Sequence, residues 1–214
     1  MTNAAIHYDE ATLEQARRLG SSTLHEASGI PTTSVDPAIR TVWPGASVAG
    51  VAYPVECAPG DNLAIHIAME RAPRGSVLVV SAAGFVAGYW GEVLTVAAEA
   101  AGVTGLVIDG GARDIAALRA RKFPVFARGI SVRGTLKDSA PSVGQPFSFT
   151  GTPVAAGDLV VADDDGVVII PAESVEATLA NGQARADKEA KMMDQLKDGR
   201  TTLDLLGLSK WRQS

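Results

Sequence analysis

The chain has 214 residues, 46% hydrophobic and 20% charged, which is the balance of a globular protein long enough to bury a full core. Its formal net charge of −5 argues against a non-specific nucleic-acid binder, which would carry a basic face, yet leaves room for a small anionic substrate held by one local arginine. A single cysteine, Cys57, excludes an intramolecular disulfide framework and a cysteine-cluster metal site, and fits a reducing, cytoplasmic setting.

No apolar run approaches membrane-spanning length, and Met1 to His7 lacks the basic start and apolar stretch of a signal peptide. Tyr8 to Leu19 reads as a surface helix with Leu13, Ala16 and Leu19 as its apolar stripe. Ser21-Ser22-Thr23 caps a second short helix that carries His25 and Glu26 and stops at Gly29. Pro31, Pro37 and Pro44 predict extended loop between 32 and 45. Ser47 to Glu56 alternates as a strand, and Asp61 or Asn62 caps a helix from Leu63 to about Arg71. Val77 to Val80 is an apolar run that predicts a strand buried on both faces. The small, glycine-bearing stretch Ala82 to Gly88 predicts a loop of close backbone approach.

A helix ending at Gly102 comes next, then a buried strand from Val103 to Ile108 with a turn at Gly110-Gly111. Asp114 to Arg121 reads as a short helix, and Phe123 to Phe126 as a strand near an edge or at a strand start because of Pro124. Up to here helices and strands alternate, which predicts parallel βαβ units. The pattern then changes. Phe147 to Thr150, Asp158 to Ala162 and Val167 to Ile170 are short strands joined by turns at Thr152-Pro153, Gly157-Asp158 and Asp163 to Gly166, the last a hairpin signal. Pro171-Ala172 opens a long helix to about Lys197 that is polar from Asn181 to Lys191, and Leu203 to Trp211 forms a terminal apolar cluster that must dock somewhere. The expectation is an α/β fold with a parallel layer and an antiparallel layer, one domain over 1–214 with N-terminal helices and a C-terminal helical extension.

The chemistry concentrates between Gly91 and Asp114. Val93 and Leu94 follow a glycine at a predicted helix start, so their N–H groups have no intrahelical partner and can seat a carboxylate; an ordinary helix start with Glu92 stabilising the dipole is the other reading. Arg113 and Asp114 stand just past the carboxyl end of a strand, where open α/β sheets collect ligands. Arg113 can fork a carboxylate or enolate oxygen, and Asp114 can hold Mg²⁺ or Mn²⁺. The alternative is a surface ion pair with Asp114 capping a helix. Asp163-Asp164-Asp165-Gly166 lacks the spacing of an EF-hand and reads as a hairpin turn. No GxGxxG or Walker loop is present. His25, His66 and Cys57 read as packed side chains.

Taken in order, His25-Glu26-Ala27-Ser28-Gly29, Gly60-Asp61-Asn62-Leu63, Trp90-Gly91-Glu92, Asp109 to Asp114, Phe123 to Phe126 and Gly157 to Pro171 resemble the RraA-like family over roughly residues 20 to 190. The branch most similar is the class II 4-hydroxy-4-methyl-2-oxoglutarate/4-carboxy-4-hydroxy-2-oxoadipate aldolases, marked by an acidic residue, twenty residues, then Arg-Asp. The resemblance implies a three-layer β/β/α sandwich of swivelling-domain type and a homotrimer or hexamer with active sites between subunits. It implies a metal ion on Asp114, the pyruvyl group on Arg113, metal-bound water on Glu92, and the substrate carboxylate on the Val93 and Leu94 N–H groups beside Gly91. Glu189 from a neighbouring subunit would complete the site. The implied reaction is a retro-aldol cleavage releasing pyruvate, with oxaloacetate decarboxylation as a side activity. Some family members instead bind and inhibit an endoribonuclease. Two positions depart from the branch: Glu92 stands where Asp is frequent, and Ser81 where an acidic residue is common.

Overall fold

The computed structural model describes residues 7–213; the N-terminal stretch read for a targeting signal lies, up to Ile6, outside them. Helix α1 (Glu10–Ser28) merges the two predicted N-terminal helices across a kink at Gly20, whose φ of 79° and ψ of 164° are not helical. Strands β1 (Arg40–Thr41) and β2 (Val48–Glu56) follow, then α2 (Leu63–Arg71), β3 (Ser76–Ser81), β4 (Gly88–Trp90) and α3 (Glu92–Ala101). Next come β5 (Gly105–Ala112), α4 (Ile115–Ala120) and β6 (Val125–Ile130). The second half supplies β7 (Ser142–Val143), β8 (Phe147–Phe149), β9 (Thr152–Val154), β10 (Leu159–Asp163), β11 (Gly166–Ile170), α5 (Val175–Lys197) and α6 (Thr202–Leu205).

Among the described residues one sheet runs β1-β6-β5-β3-β2-β10-β11. Its β6-β5-β3-β2 half is parallel, and β2-β10-β11 is antiparallel. The two predicted layers are therefore halves of one continuous sheet, hydrogen-bonded through β2 and β10. The sheet curls until its ends meet: the Ser34 bridge to Val168 brings the chain before β1 against β11. Inside the curl, Val77, Val79, Val107 and Phe126 of the parallel half pack on Val160, Ala162, Val167 and Ile169 of the antiparallel half. Helices cover the outside. α2, α3 and α4 pack through Ala64, Ile65, Leu94, Ala98 and Leu118 on the parallel half. Helices α1 and α5 pack through Ala16, Leu24, Val175 and Leu179 on β10 and β11. Val77 to Val80 thus has one residue set facing each core and all four side chains buried, each worth about 1.5–3 kcal/mol.

Two local expectations are corrected. Gly110-Gly111 is not a turn: β5 continues through Ala112, wholly buried, because β4 and β6 both pair with its end at Gly111. A Cβ on Gly111 would meet the Ala87 carbonyl oxygen at 2.4 Å, so glycine here serves close strand approach. Thr152-Pro153 is strand β9, paired with β8; the turn lies earlier, at Thr150-Gly151, both with positive φ. The predicted hairpin at Asp163 to Gly166 forms. Asp163 accepts from the Ser21 N–H at 2.7 Å and the Ser21 hydroxyl at 2.6 Å, and Asp164 from the Gly45 N–H at 3.0 Å. These aspartates latch the kink of α1 and the loop before β2. At the other end of the chain, Leu206, Leu208 and Trp211 stay exposed.

Candidate active site

The end of β5 and the start of α3 are built to touch. Trp90 is fully buried, stacks on Phe123 with ring centroids 5.7 Å apart, and donates its indole N–H to the Thr95 hydroxyl at 2.8 Å. Thr95 in turn donates to the Gly91 carbonyl at 3.0 Å, which fixes the first turn of α3. The Arg113 N–H donates to the Trp90 carbonyl at 2.8 Å, so the two segments are joined backbone to backbone.

Asp114 has a φ of 58°, in the left-handed region that a non-glycine residue enters only when its surroundings hold it there. It precedes α4 but makes no side-chain cap to it. Its Oδ2 instead accepts the Glu92 N–H at 3.0 Å, across to α3, with the Arg113 Nε 3.9 Å from the same oxygen. The other carboxylate oxygen accepts no hydrogen bond among the described residues. Gly91 makes the arrangement possible. Its φ of −160° is open to any residue, but a Cβ would stand 2.4 Å from Asp114 Oδ2 and 3.1 Å from Arg113 Cγ. The N–H groups of Val93 and Leu94 donate to nothing among the described residues, as the first turn of a ten-residue helix requires.

These groups line a cleft of about 270 Å³ with Gly88, Tyr89, Asn62, His66, Thr135 and Lys137. A half-exposed carboxylate with one committed oxygen, beside an arginine and a helix N-terminus, suits a hard cation that keeps most of its own waters and shares the rest with substrate. No cluster of three or more His, Cys, Asp or Glu side chains among the described residues could enclose a metal without such help.

The other expected residues lie elsewhere. Glu92 contributes its N–H, but its carboxylate pairs with Arg121 at 3.3 Å, outside the cleft. Arg121 also holds Glu99 at 3.0 Å. Glu189 sits on α5, bound to Arg185 at 2.9 Å, and Arg185 also reaches Glu26 of α1. It does not enter the cleft of its own chain. His25 packs as expected, its Nδ1 2.8 Å from the Thr33 hydroxyl. Ser81 ends β3 and accepts the Ala83 N–H at 3.4 Å. Cys57 is buried, and burial pushes its thiol up to about 12, so it is inert.

His66 is the exception among the residues read as packing, because it lines the cleft. Asn62, Lys137 and Thr135 join it. The sequence marks Asn62 as a helix-cap candidate and as part of the Gly60-Asp61-Asn62-Leu63 motif, without a role in the site, and the 131–140 loop was passed over. Asn62 is the N-cap residue by position, yet its side chain makes no capping bond. The only sequence signal for the loop was its lack of regular pattern.

A family model described as RraA-like, Aldolase/RraA, matches residues 21–169. A Halalkalibacterium halodurans protein named "Putative 4-hydroxy-4-methyl-2-oxoglutarate aldolase" is 36% identical over 174 residues, covering 76% of this chain and 83% of that one. An uncharacterized protein from Pseudomonas syringae pv. tomato superposes with a TM-score of 0.80 at 27% identity, covering 93% of this chain and 97% of its own. Streptomyces coelicolor RraAS2, described as an unusual member of the RNase ES inhibitor RraA protein family, superposes at 0.74 with 25% identity, covering 88% and 98%. Fold, motif order and family model agree, and the chain belongs to the RraA-like family.

Proposed function

We propose that this chain is a divalent-metal-dependent pyruvate aldolase. It would cleave 4-hydroxy-4-methyl-2-oxoglutarate or 4-carboxy-4-hydroxy-2-oxoadipate to pyruvate and a second 2-oxo acid, and decarboxylate oxaloacetate as a side activity. The observation that carries the reading is the Asp114 carboxylate, held in a left-handed backbone and turned away from its own helix toward α3 and Arg113. A structural ion pair needs no such strain.

The Val93 and Leu94 N–H groups receive the substrate's C1 carboxylate, aided by the positive end of α3. The Arg113 guanidinium faces the 2-oxo oxygen. Asp114 would ligate Mg²⁺ or Mn²⁺, which when bound supplies Lewis-acid polarisation of that oxo group. Loss of the C4 hydroxyl proton to a base breaks the C3–C4 bond, and the electron pair passes into the oxo group as the enolate of pyruvate. Arg113 stabilises that charge as it develops, the kind of preorganised contact that carries much of enzymatic rate enhancement. Oxaloacetate losing carbon dioxide gives the same enolate.

In this reading the Glu92 carboxylate, paired here with Arg121, would turn to hold a water of a bound Mg²⁺ or Mn²⁺, and Glu189 would come from a neighbouring subunit of a homotrimer or hexamer. The apolar rim of the cleft supports a covering neighbour: Val93 is 82% exposed, Leu136 64% and Val132, on the same loop, 93%. A second reading, a non-catalytic inhibitor of an endoribonuclease, draws on the likeness to Streptomyces coelicolor RraAS2. Pyruvate release from 4-hydroxy-4-methyl-2-oxoglutarate and from oxaloacetate, before and after EDTA, separates them. Release that EDTA abolishes and Mg²⁺ or Mn²⁺ restores is expected. No metal-dependent release from either compound would leave the inhibitor reading standing.

A further inference from the structure

Arg121 lies outside the cleft, yet it holds one of the side chains expected in the site. Its Nε donates to the Glu92 carboxylate at 3.3 Å, and its Nη1 donates to the Glu99 carboxylate at 3.0 Å. Glu92 and Glu99 stand about two turns apart on one face of α3, so one guanidinium fork reaches both. The backbone under Arg121 is fixed. Its N–H donates to the Ala117 carbonyl at 3.0 Å, at the end of α4, and the Lys122 N–H donates to the Arg119 carbonyl at 3.0 Å. Just beyond, Phe123 stacks on Trp90, which leads into α3.

Glu92 is rooted between two partners. Its own N–H donates to Asp114 Oδ2 at 3.0 Å, so its backbone lies against the carboxylate proposed to hold a cation, while its side chain reaches Arg121. The torsions of a glutamate side chain let the carboxylate turn either way. The pair is built for release. The Glu92 and Arg121 side chains are 50% and 35% exposed, so water screens their attraction, and pairs of this kind shift an equilibrium by about fivefold at most. When Glu92 lets go, Arg121 is not left with an unpaired charge, because Glu99 still holds it. A guanidinium shared in this way is a holder that one carboxylate can leave.

We infer that Arg121 is a positioning residue that regulates the cation site: it parks the Glu92 carboxylate outside the cleft, and Glu92 leaves it to reach the water shell of an arriving Mg²⁺ or Mn²⁺. The inference rests on the proposed reading of Asp114 and Glu92 as holders of that cation. It has a definite sign. The pair breaks when the cation arrives, so by linkage its strength is subtracted from cation binding. Removing Arg121 therefore tightens binding. Removing Glu99 leaves Arg121 dependent on Glu92 alone, which weakens it. Both effects run through the Glu92 carboxylate and disappear without it. A direct repulsion between Arg121 and the cation would persist whatever side chain stands at position 92.

Titration of the whole protein with Mn²⁺, the free ion followed by electron paramagnetic resonance, gives a Kd with the metal alone as the probe. Arg121→Met should lower that Kd about three- to fivefold, within the ceiling of an exposed pair. Glu99→Gln should raise it about twofold, and carries the same test if Arg121→Met does not fold by circular dichroism. In a Glu92→Gln background both shifts should shrink below about 1.5-fold, as a double-mutant cycle reads them. Shifts that survive in that background, or a Kd in Arg121→Met that is unchanged or higher, overturn the inference. Arg121 as a mere brace between α3 and α4 would raise Kd in both backgrounds and lower the melting temperature. Wild-type protein that binds no Mn²⁺, or binds it equally well after Asp114→Asn, would instead overturn the metal-site reading beneath it.

Discussion

Replacing Gly91 with alanine isolates the packing that holds the site from the stability of the fold. The backbone at Gly91, with φ −160° and ψ −165°, suits alanine, so no conformational strain enters. The added Cβ would stand 2.4 Å from Asp114 Oδ2, where ordinary contact begins at 3.4 Å. The carboxylate must therefore retreat by about 1 Å, and a misplacement of that size costs on the order of 10²-fold in rate. Retreat also breaks the 3.0 Å bond from the Glu92 N–H and pushes on the Arg113 side chain, whose Cγ would be 3.1 Å from the new methyl. Stability changes little, because Gly91 is a helix N-cap where alanine is less favourable than glycine by about 1 kcal/mol or less, a Tm change of roughly 2–4 °C. Pyruvate release coupled to NADH oxidation, beside a thermal melt, reads both quantities. A Gly91→Ala protein that keeps more than a third of wild-type kcat/KM would refute the claim that this contact sets the geometry of Asp114.

Arg113→Ala should remove most turnover, by about 10²-fold or more, with an unchanged melt, because the side chain is half-exposed and its partner is an arginine-independent strap from Glu92; steady-state kinetics decides it. Asp163→Ala should do the reverse. It strands the buried Ser21 donors and costs about 2 kcal/mol, lowering Tm by roughly 4–8 °C while kcat/KM stays at the wild-type value. His66 predicts a pH dependence of stability. Burial and Lys137 lower its pKa in the folded chain, so the unfolded chain takes up the proton first as pH falls. The stability linked to a neutral His66 is present above its ordinary value of 6.5 and is lost progressively below it. His66→Gln should accordingly flatten the decline of Tm between pH 7 and pH 5, as measured by melts across that range.

The elements that follow local rules were legible in the sequence. Leu63–Arg71 has a cap, an apolar face and a proline beyond its end, and it forms over the predicted span. Val77 to Val80 reads as a doubly buried strand because it separates two cores. The Asp163 to Gly166 hairpin carries its own turn chemistry. Gly110-Gly111 was misread because glycine pairs signal turns and close packing alike, and only the Ala87 carbonyl at Gly111 separates the two. Strand β9 was missed because Pro153 argues against a strand, and β9 tolerates it on a two-stranded ribbon. In the site, Gly91, Arg113 and Asp114 were legible from their order along the chain. The carboxylate of Glu92 was not, because its ion pair with Arg121 spans 29 residues. Lys137 was invisible for the same reason: its place in the cleft depends on bonds from Asp61 to Asp138 and Ser139, 77 and 78 residues away.

The physical logic of the site lies in what one chain leaves open. A structural ion pair spends its hydrogen bonds inside the fold, as Arg128 does by donating to Asp109 and Asp36 and so tying a loop to the sheet. Around Asp114 the accounting differs. One carboxylate oxygen, two helix N–H groups, the Asn62 oxygen and the His66 nitrogen are all without partners among the described residues, within one cleft. The two buried ones, the Asn62 oxygen and the His66 nitrogen, leave binding free energy unused, since an unmade buried hydrogen bond costs about 1–3 kcal/mol. Their types are sorted in space. Donors and the arginine lie at the α3 end, and an acceptor, a neutral imidazole and an ammonium lie at the α2 end. A ligand that satisfies both sets must be anionic at both ends, with an oxygen acceptor near Arg113 and a donor near Asn62. The proposed 2-oxo acid substrate would meet both sets, its carboxylates at the α3 N–H groups and at Lys137 and its hydroxyl at Asn62.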